Sequence, residues 1–139
     1  METARVAAER GHQVTLTEAS PHLGGQFRLA GRQPRRGQIL DLIDWYEGQL
    51  EKYQVAVQLN TPMEASEVKA ARFDIVVLAT GSQPAGTGFV RALPHVDALP
   101  GIERGNVWSV EDVLAKVARP GAHVLLLDDA GNWRGCGTA

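Results

Sequence analysis

The sequence predicts an α/β fold, a parallel and doubly wound sheet with flanking helices, and three observations predict it. Helix-patterned and strand-patterned stretches alternate along the chain with short links between them. One run, Ile75-Val76-Val77-Leu78-Ala79, is continuously apolar, as a strand covered on both faces of a parallel sheet must be. The 139 residues, 44% hydrophobic and 22% charged, suit one ordinary domain with a core.

Taken in order, Glu2 to Arg10 favours helix through its alanines and long side chains, and Gly11 stands where a helix end tolerates positive φ. This helix has no N-cap and no strand before it, so the chain is expected to start in the middle of a structural unit. Gln13 to Glu18 alternates through Val14 and Leu16 and reads as a strand. Ser20-Pro21 and Gly24-Gly25 break it. From Arg36 to Tyr53, Ile39, Ile43, Tyr46 and Leu50 recur at helical spacing, which predicts the longest helix. Trp45 and Tyr53 beside that stripe are explained by helix packing in preference to an aromatic cofactor box.

Gln54 to Leu59 alternates again and predicts a second strand. Thr61-Pro62 supplies a cap and first position for a short helix reaching Ala71. Asp74 to Ala79 is the most buried-looking strand. Gly81 to Gly105, interrupted by Pro84, Gly86, Gly88, Pro94, Pro100 and Gly101, reads as a connector. Ser109-Val110-Glu111-Asp112 opens a capped helix to about Ala118, which Pro120-Gly121 ends. His123 to Asp128 is a last apolar strand, followed by a glycine-rich turn from Gly131 to Gly137.

Composition narrows the function classes. A net charge of -2 without a run of Lys or Arg gives no electrostatic case for nucleic acid or an anionic membrane. The densest basic stretch, Arg28 to Arg36, reads as solvated loop cations, with contact to a cofactor phosphate as the alternative. The single cysteine, Cys136, excludes an intrachain disulfide, and a cysteine zinc site or an iron-sulfur cluster cannot be assembled from this chain. A reduced, cytoplasmic setting is the expectation. The opening Met1-Glu2-Thr3-Ala4-Arg5 lacks the pattern of a signal peptide, and no window approaches the ~20 apolar residues of a membrane span. His12, His22, His95 and His123 have no ligand spacing, so no metal site is expected.

Chemistry concentrates at strand ends. Glu18 closes the first strand, where a dinucleotide fold places the acid that accepts hydrogen bonds from the adenosine ribose hydroxyls; a solvated strand-end Glu is the alternative. Gly24 and Gly25 follow six residues later and let backbone amides approach a pyrophosphate without a Cβ in the way, although a plain turn also uses glycine. Leu78-Ala79-Thr80-Gly81-Ser82-Gln83-Pro84 ends the buried strand, and ligands of open α/β sheets collect at such ends.

Glu18 with Gly24-Gly25-Gln26, and Asp74 through Pro84, resemble the two FAD-domain signatures of the pyridine-nucleotide-disulfide-reductase-like fold. More narrowly, Gly24-Gly25-Gln26-Phe27, Asn106-Val107-Trp108-Ser109 and Val124 to Asp129 resemble the C-terminal half of the trimethylamine dehydrogenase and 2,4-dienoyl-CoA reductase group of old-yellow-enzyme-related flavoproteins. The resemblance covers essentially the whole chain. It implies an incomplete, Rossmann-like FAD/NAD(P)-binding domain cut from a flavin-dependent oxidoreductase. The parent would carry an FMN barrel and an iron-sulfur cluster, then this region holding FAD or ADP. Residues 1–105 correspond to a partial FAD (or ADP)-binding domain without its first strand, and residues 106–139 to the start of a second dinucleotide-binding unit. The resemblance assigns Glu18 to ribose, Gly24, Gly25 and Gln26 to the phosphate side, and Ala79, Thr80, Gly81 and Ser82 to the cofactor cover. It assigns no catalytic residue to this chain, whose isolated form is expected to lack the parent's activity.

The second glycine turn departs from that pattern. It reads Asp128-Asp129-Ala130-Gly131-Asn132-Trp133-Arg134-Gly135-Cys136-Gly137, and carboxylates repel the phosphate a GxGxxG turn would hold. NAD(P)H is therefore less favoured than FAD or ADP. Two further readings stay open, an ADP/AMP-binding module without redox chemistry and a ligand-free structural remnant. Topology adds one expectation: the slot of the missing strand lies between Gln13–Glu18 and Asp74–Ala79. His123–Asp128 would fill it, within the chain or by exchange in a strand-swapped homodimer.

Overall fold

In the computed structural model, which describes residues 1–83 and 85–129, the elements follow the order α1 (Glu2–Glu9), β1 (Thr15–Thr17), α2 (Gly25–Ala30), α3 (Gln38–Lys52), β2 (Ala56–Gln58), α4 (Ala65–Ala71) and α5 (Val110–Leu114). They fall into two compact units. The first comprises Met1–Gly31 and Gly37–Gly81, and the second comprises Arg32–Arg36 with the chain from Ser82 onward.

In the first unit, β1 and β2 pair in parallel with Thr15 opposite Ala56, Leu16 opposite Val57 and Thr17 opposite Gln58. The ladder runs past both strand ends. Ala56 N donates to Val14 O at 2.9 Å and Glu18 N to Gln58 O at 2.9 Å. Beneath it, Ala4, Leu23, Leu50 and Val55 form a buried cluster against which Met1, Ala8, Val14 and Leu16 pack. α3 is the hub, since both α1 and α2 pack on it. Its stripe buries Ile43 completely and leaves Leu50 only 1% exposed.

Polar contacts join the same helices. Arg5 on α1 bonds Glu2 at 2.8 and 3.0 Å and Glu9 at 3.0 Å, and its guanidinium lies 5.9 Å from the Trp45 ring centroid on α3. Tyr53 Oη donates to Glu9 at 3.0 Å. Trp45 also meets Tyr46 edge-on at 5.0 Å. These aromatics are packing residues of α1 and α3, as the helical spacing predicts.

Three expectations change. Gly24-Gly25 does not simply break the chain but opens α2, with Gly24 as N-cap at φ 101°. The proposed start of α4 moves from Thr61-Pro62 to Glu64. Thr61 is already occupied, its N–H donating to Glu18 O at 2.9 Å and its hydroxyl to Leu59 O at 3.0 Å, so Glu64 and Glu67 make the capping box instead. Neither Asp74–Ala79 nor His123–Asp128 forms a strand, and the chain-internal insertion between β1 and Asp74–Ala79 is absent, because β1 pairs with β2 alone. Without a ladder partner their apolar side chains stay in water: Ile75 is 78% exposed, Leu78 82% and Leu125 93%.

In the second unit, Val90 and Ala118 are buried, together with Gln33, whose side-chain amide has no hydrogen-bond partner among the described residues. α5 starts as its sequence predicts. Asp112 N donates to Ser109 Oγ at 3.1 Å and Ser109 N to Asp112 Oδ2 at 3.0 Å, a reciprocal box. The helix closes at Leu114 and not Ala118, since Lys116 takes a positive φ of 62°.

Gly24 and Gly48 give opposite expectations for alanine. A Cβ on Gly24 would sit 2.8 Å from Ile43 Cδ1 in a left-handed backbone, whereas Gly48, on the exposed face of α3, has nothing within 4 Å. Gly24→Ala should lower unfolding free energy by about 1–3 kcal/mol, and Gly48→Ala should raise it by about 0.5–1 kcal/mol. Urea denaturation of the two variants separates the effects, and a Gly24→Ala chain as stable as the parent would refute this packing.

Candidate functional site

Glu18 stands at the end of β1, as its sequence position predicts. Glu18 is half-buried there because its backbone still belongs to the ladder on one side and accepts from Thr61 N on the other. Its Oε1 accepts the Ser20 amide at 2.8 Å, the local carboxylate-to-backbone bond that Asp and Glu use to shape turns. Ser20 Oγ donates to His22 O at 2.6 Å, and Asn60 N donates to Ser20 O at 3.0 Å. The carboxylate is thus held by a turn clamped to the residues after β2. A fixed acceptor of this kind suits a diol, which offers two O–H donors.

The glycine pair divides its work. Gly24 is fixed by protein packing, because its Cβ direction points into Ile43, while the same direction at Gly25 is open. Of the two, only Gly25 leaves room for a ligand. Gln26 lies half-buried in the first turn of α2. Arg28 Nε donates to Leu23 O at 2.8 Å and its Nη2 pairs with Glu47 at 3.0 Å. Arg28 therefore ties α2 to the preceding turn and to α3, which corrects its reading as a free loop cation.

Ala79, Thr80 and Gly81 are exposed on a stretch that joins no sheet, with Gly81 at φ 71° and open space where its Cβ would be. Ser82 begins the second unit and is exposed there. The structure places Glu18 in the turn after β1 and Gly24, Gly25 and Gln26 at the start of α2. It gives Ala79 to Ser82 no ladder to fix them.

Sequence reasoning missed a cleft of about 450 Å³ beside β2. Leu23, Leu50 and Val55 form its floor, Val57 and Leu59 one wall, and Glu47 and Glu51 its rim. The rim carboxylates sit at i and i+4 on α3, and Glu47 is the one already paired with Arg28. The alternating Val55, Val57 and Leu59 were the available signal, since only one face of an edge strand is covered by the helix beneath.

In the second unit, Asp129 accepts from both Arg91 N at 2.8 Å and Arg91 Nε at 3.2 Å, and its carbonyl accepts from Arg91 Nη2. The Arg91 amide, then its guanidinium, hold the Asp129 carboxyl below the usual range. One of the two acids expected to repel phosphate is locally neutralised. The glycine turn Gly131 to Gly137, with Trp133 and Cys136, lies outside the described residues. Among the described residues no cluster of three or more His, Cys, Asp or Glu could hold a metal ion, and no helix is long and apolar enough to cross a membrane.

The class is thus a small α/β chain: a two-stranded parallel sheet flanked by helices, whose first strand ends in an acidic, glycine-bearing turn. Its relatives are old-yellow-enzyme-related flavin oxidoreductases, of each of which it matches a small part. It is 42% identical over 134 residues to a probable N-methylproline demethylase of Rhizobium meliloti (strain 1021), covering 95% of this chain and 18% of that protein. It is 41% identical over 139 residues to an N,N-dimethylglycine/sarcosine dehydrogenase of Chromohalobacter salexigens, covering 100% of this chain and 20% of that protein. It superposes on the solved 2-naphthoyl-CoA reductase in complex with 2-naphthoyl-CoA with a TM-score of 0.76 and 31% identity, over 99% of this chain and 19% of that one. The chain spans about a fifth of the length of these relatives. No protein-family model matches it.

Two carboxylates in the second unit should titrate abnormally low. Ser109 bonds lower Asp112, and Arg91 bonds lower Asp129. Each contributes stability that is present above its unfolded pKa and is lost as pH falls through the lowered folded value. Carboxyl-carbon NMR titration should show both midpoints below that of peptide aspartate. Arg91→Ala should return Asp129 only part of the way, because the backbone N–H remains, and should leave Asp112 unmoved; a full return would contradict the amide's leading role.

Proposed function

We propose that this chain is the adenine-dinucleotide-holding segment of a flavin-dependent oxidoreductase, a Rossmann-like and incomplete FAD/NAD(P)-binding region. The observation that carries this reading is the Glu18 turn, with its carboxylate fixed at the carboxyl end of a parallel strand and Gly25 open seven residues on. The relatives named above, all oxidoreductases, support the same reading. FAD or ADP is the ligand class. Glu18 would accept from the adenosine ribose, while the backbone of Gly25 and the side chain of Gln26 would face the phosphates, and Thr80, Gly81 and Ser82 would cover the nucleotide once their segment is fixed. Residues 1–105 would form this cofactor part and residues 106–139 the start of a second nucleotide unit. The redox chemistry belongs to the flavin and to the parts of the parent that bind substrate, and the setting is cytoplasmic.

An ADP/AMP-binding module is the second reading. It is favoured by the fixed position of Glu18, which would address the adenosine half of a dinucleotide alone. Calorimetric titration with FAD, ADP and NADPH distinguishes the cases. Tight FAD binding supports the flavoprotein segment, binding of ADP equal to that of FAD supports the module, and a folded chain that binds neither overturns both. NADPH belongs in the set because Arg91 offsets Asp129.

Glu18 separates binding from folding. Glu18→Gln keeps an oxygen acceptor for the Ser20 amide, so the turn and thermal stability should persist, while affinity for the ribose should fall about tenfold to a hundredfold as a charged acceptor is lost. A Glu18→Gln chain that binds as tightly as the parent removes Glu18 from the ribose site.

A further inference from the structure

α2 is a six-residue helix, too short to hold its own direction, so its start is set by tertiary ties. The approach of Gly24 to Ile43 is one. Arg28 is the other. It donates from Nε back to Leu23 O at 2.8 Å and from Nη2 to Glu47 on α3 at 3.0 Å. The side chain is only 25% exposed, so both bonds are made in a partly desolvated place.

The bond to Leu23 O has a geometric corollary. In a trans peptide such as Leu23–Gly24, the C=O and the following N–H point in opposite directions. With Leu23 O turned to the guanidinium, the Gly24 N–H points away from it. That N–H donates to no acceptor among the described residues. The next residue, Gly25, holds φ 45° with open space along its Cβ direction. Arg28 itself is poorly placed to grip an anion, since Nε and Nη2 are taken up by the protein and Glu47 opposes its charge. Its geometry suits holding a peptide.

We infer that Arg28 is a positioning residue for the phosphate side of the nucleotide. Through Leu23 O it turns the Leu23–Gly24 peptide so that the Gly24 N–H faces a phosphate beside the Gly25 backbone, and Glu47 holds the guanidinium in place. The role rests on the nucleotide reading given above, in which Glu18 takes the ribose. Arg28 touches no ligand atom, so its charge is not what the phosphate feels.

Calorimetric titration of the full chain with ADP, and with adenosine, which lacks the phosphates, isolates this role. Arg28→Met keeps the aliphatic stem and Arg28→Lys keeps the charge opposite Glu47, but neither can hold Leu23 O and Glu47 together. Both should weaken ADP about tenfold, the worth of one well-placed hydrogen bond, while adenosine binds as it does to the parent. In nitrogen-15-labelled parent the Gly24 amide proton should move downfield on saturation with ADP, a readout that needs no variant to fold. An Arg28→Lys chain that binds ADP like the parent makes Arg28 a charge partner of the phosphate and overturns the inference. So does a parallel loss of adenosine, which marks a role in folding alone, or an unmoved Gly24 amide in a parent that binds ADP. A parent that binds neither compound overturns the nucleotide reading itself, and this role with it.

Discussion

The approach of Gly24 to Ile43 is the constraint from which the first unit follows. Ile43 is wholly buried on α3, and its Cδ1 occupies the volume a side chain at position 24 would need. Only glycine permits both the left-handed backbone and the close contact there. Once made, that contact fixes the start of α2 and the direction in which the chain leaves β1. Arg28 then reaches back to Leu23 O and across to Glu47, locking α2 on the same helix. A residue that looks from the sequence like phosphate chemistry is in the fold first a packing residue.

The Glu18 turn and the Gly24-Gly25 start of α2 are joined by five residues, of which Leu23 lies in the buried cluster. Leu23 in that link packs in the core, so the turn after β1 and the start of α2 are both anchored by folding. Gly25 is free of the packing duty that Gly24 carries, so two adjacent glycines differ in what the fold asks of them.

The legible parts of the fold were those encoded locally. The stripe Ile39, Ile43, Tyr46, Leu50 gave α3, the alternation about Leu16 and Val57 gave the paired strands, and Ser109 with Asp112 gave the cap of α5, because a helix face, a two-residue period and a capping box are each written within a few residues. What could not be read was pairing. Ile75 to Leu78 and Val124 to Leu127 have the composition of buried strands, yet a strand exists only when a neighbour accepts its bonds, and that neighbour is not specified by the run itself. α2 was hidden for a related reason: two glycines signal a break by propensity, and only the tertiary contact with Ile43 turns the break into a helix start. At the candidate site, the place of Glu18 at the end of β1 was legible from the strand pattern and its bond to Ser20 is local, while its link to Thr61 depends on β2, some forty residues away.

The apolar runs left in water carry their own argument. Burial patterns are selected in the protein where the sequence works, and here the matched relatives are about five times longer than this chain. Residues 75–78 and 124–127 have the apolar composition of sheet strands, yet β1 and β2 take up neither, and their side chains stay in water. Such segments either find another strand or aggregate.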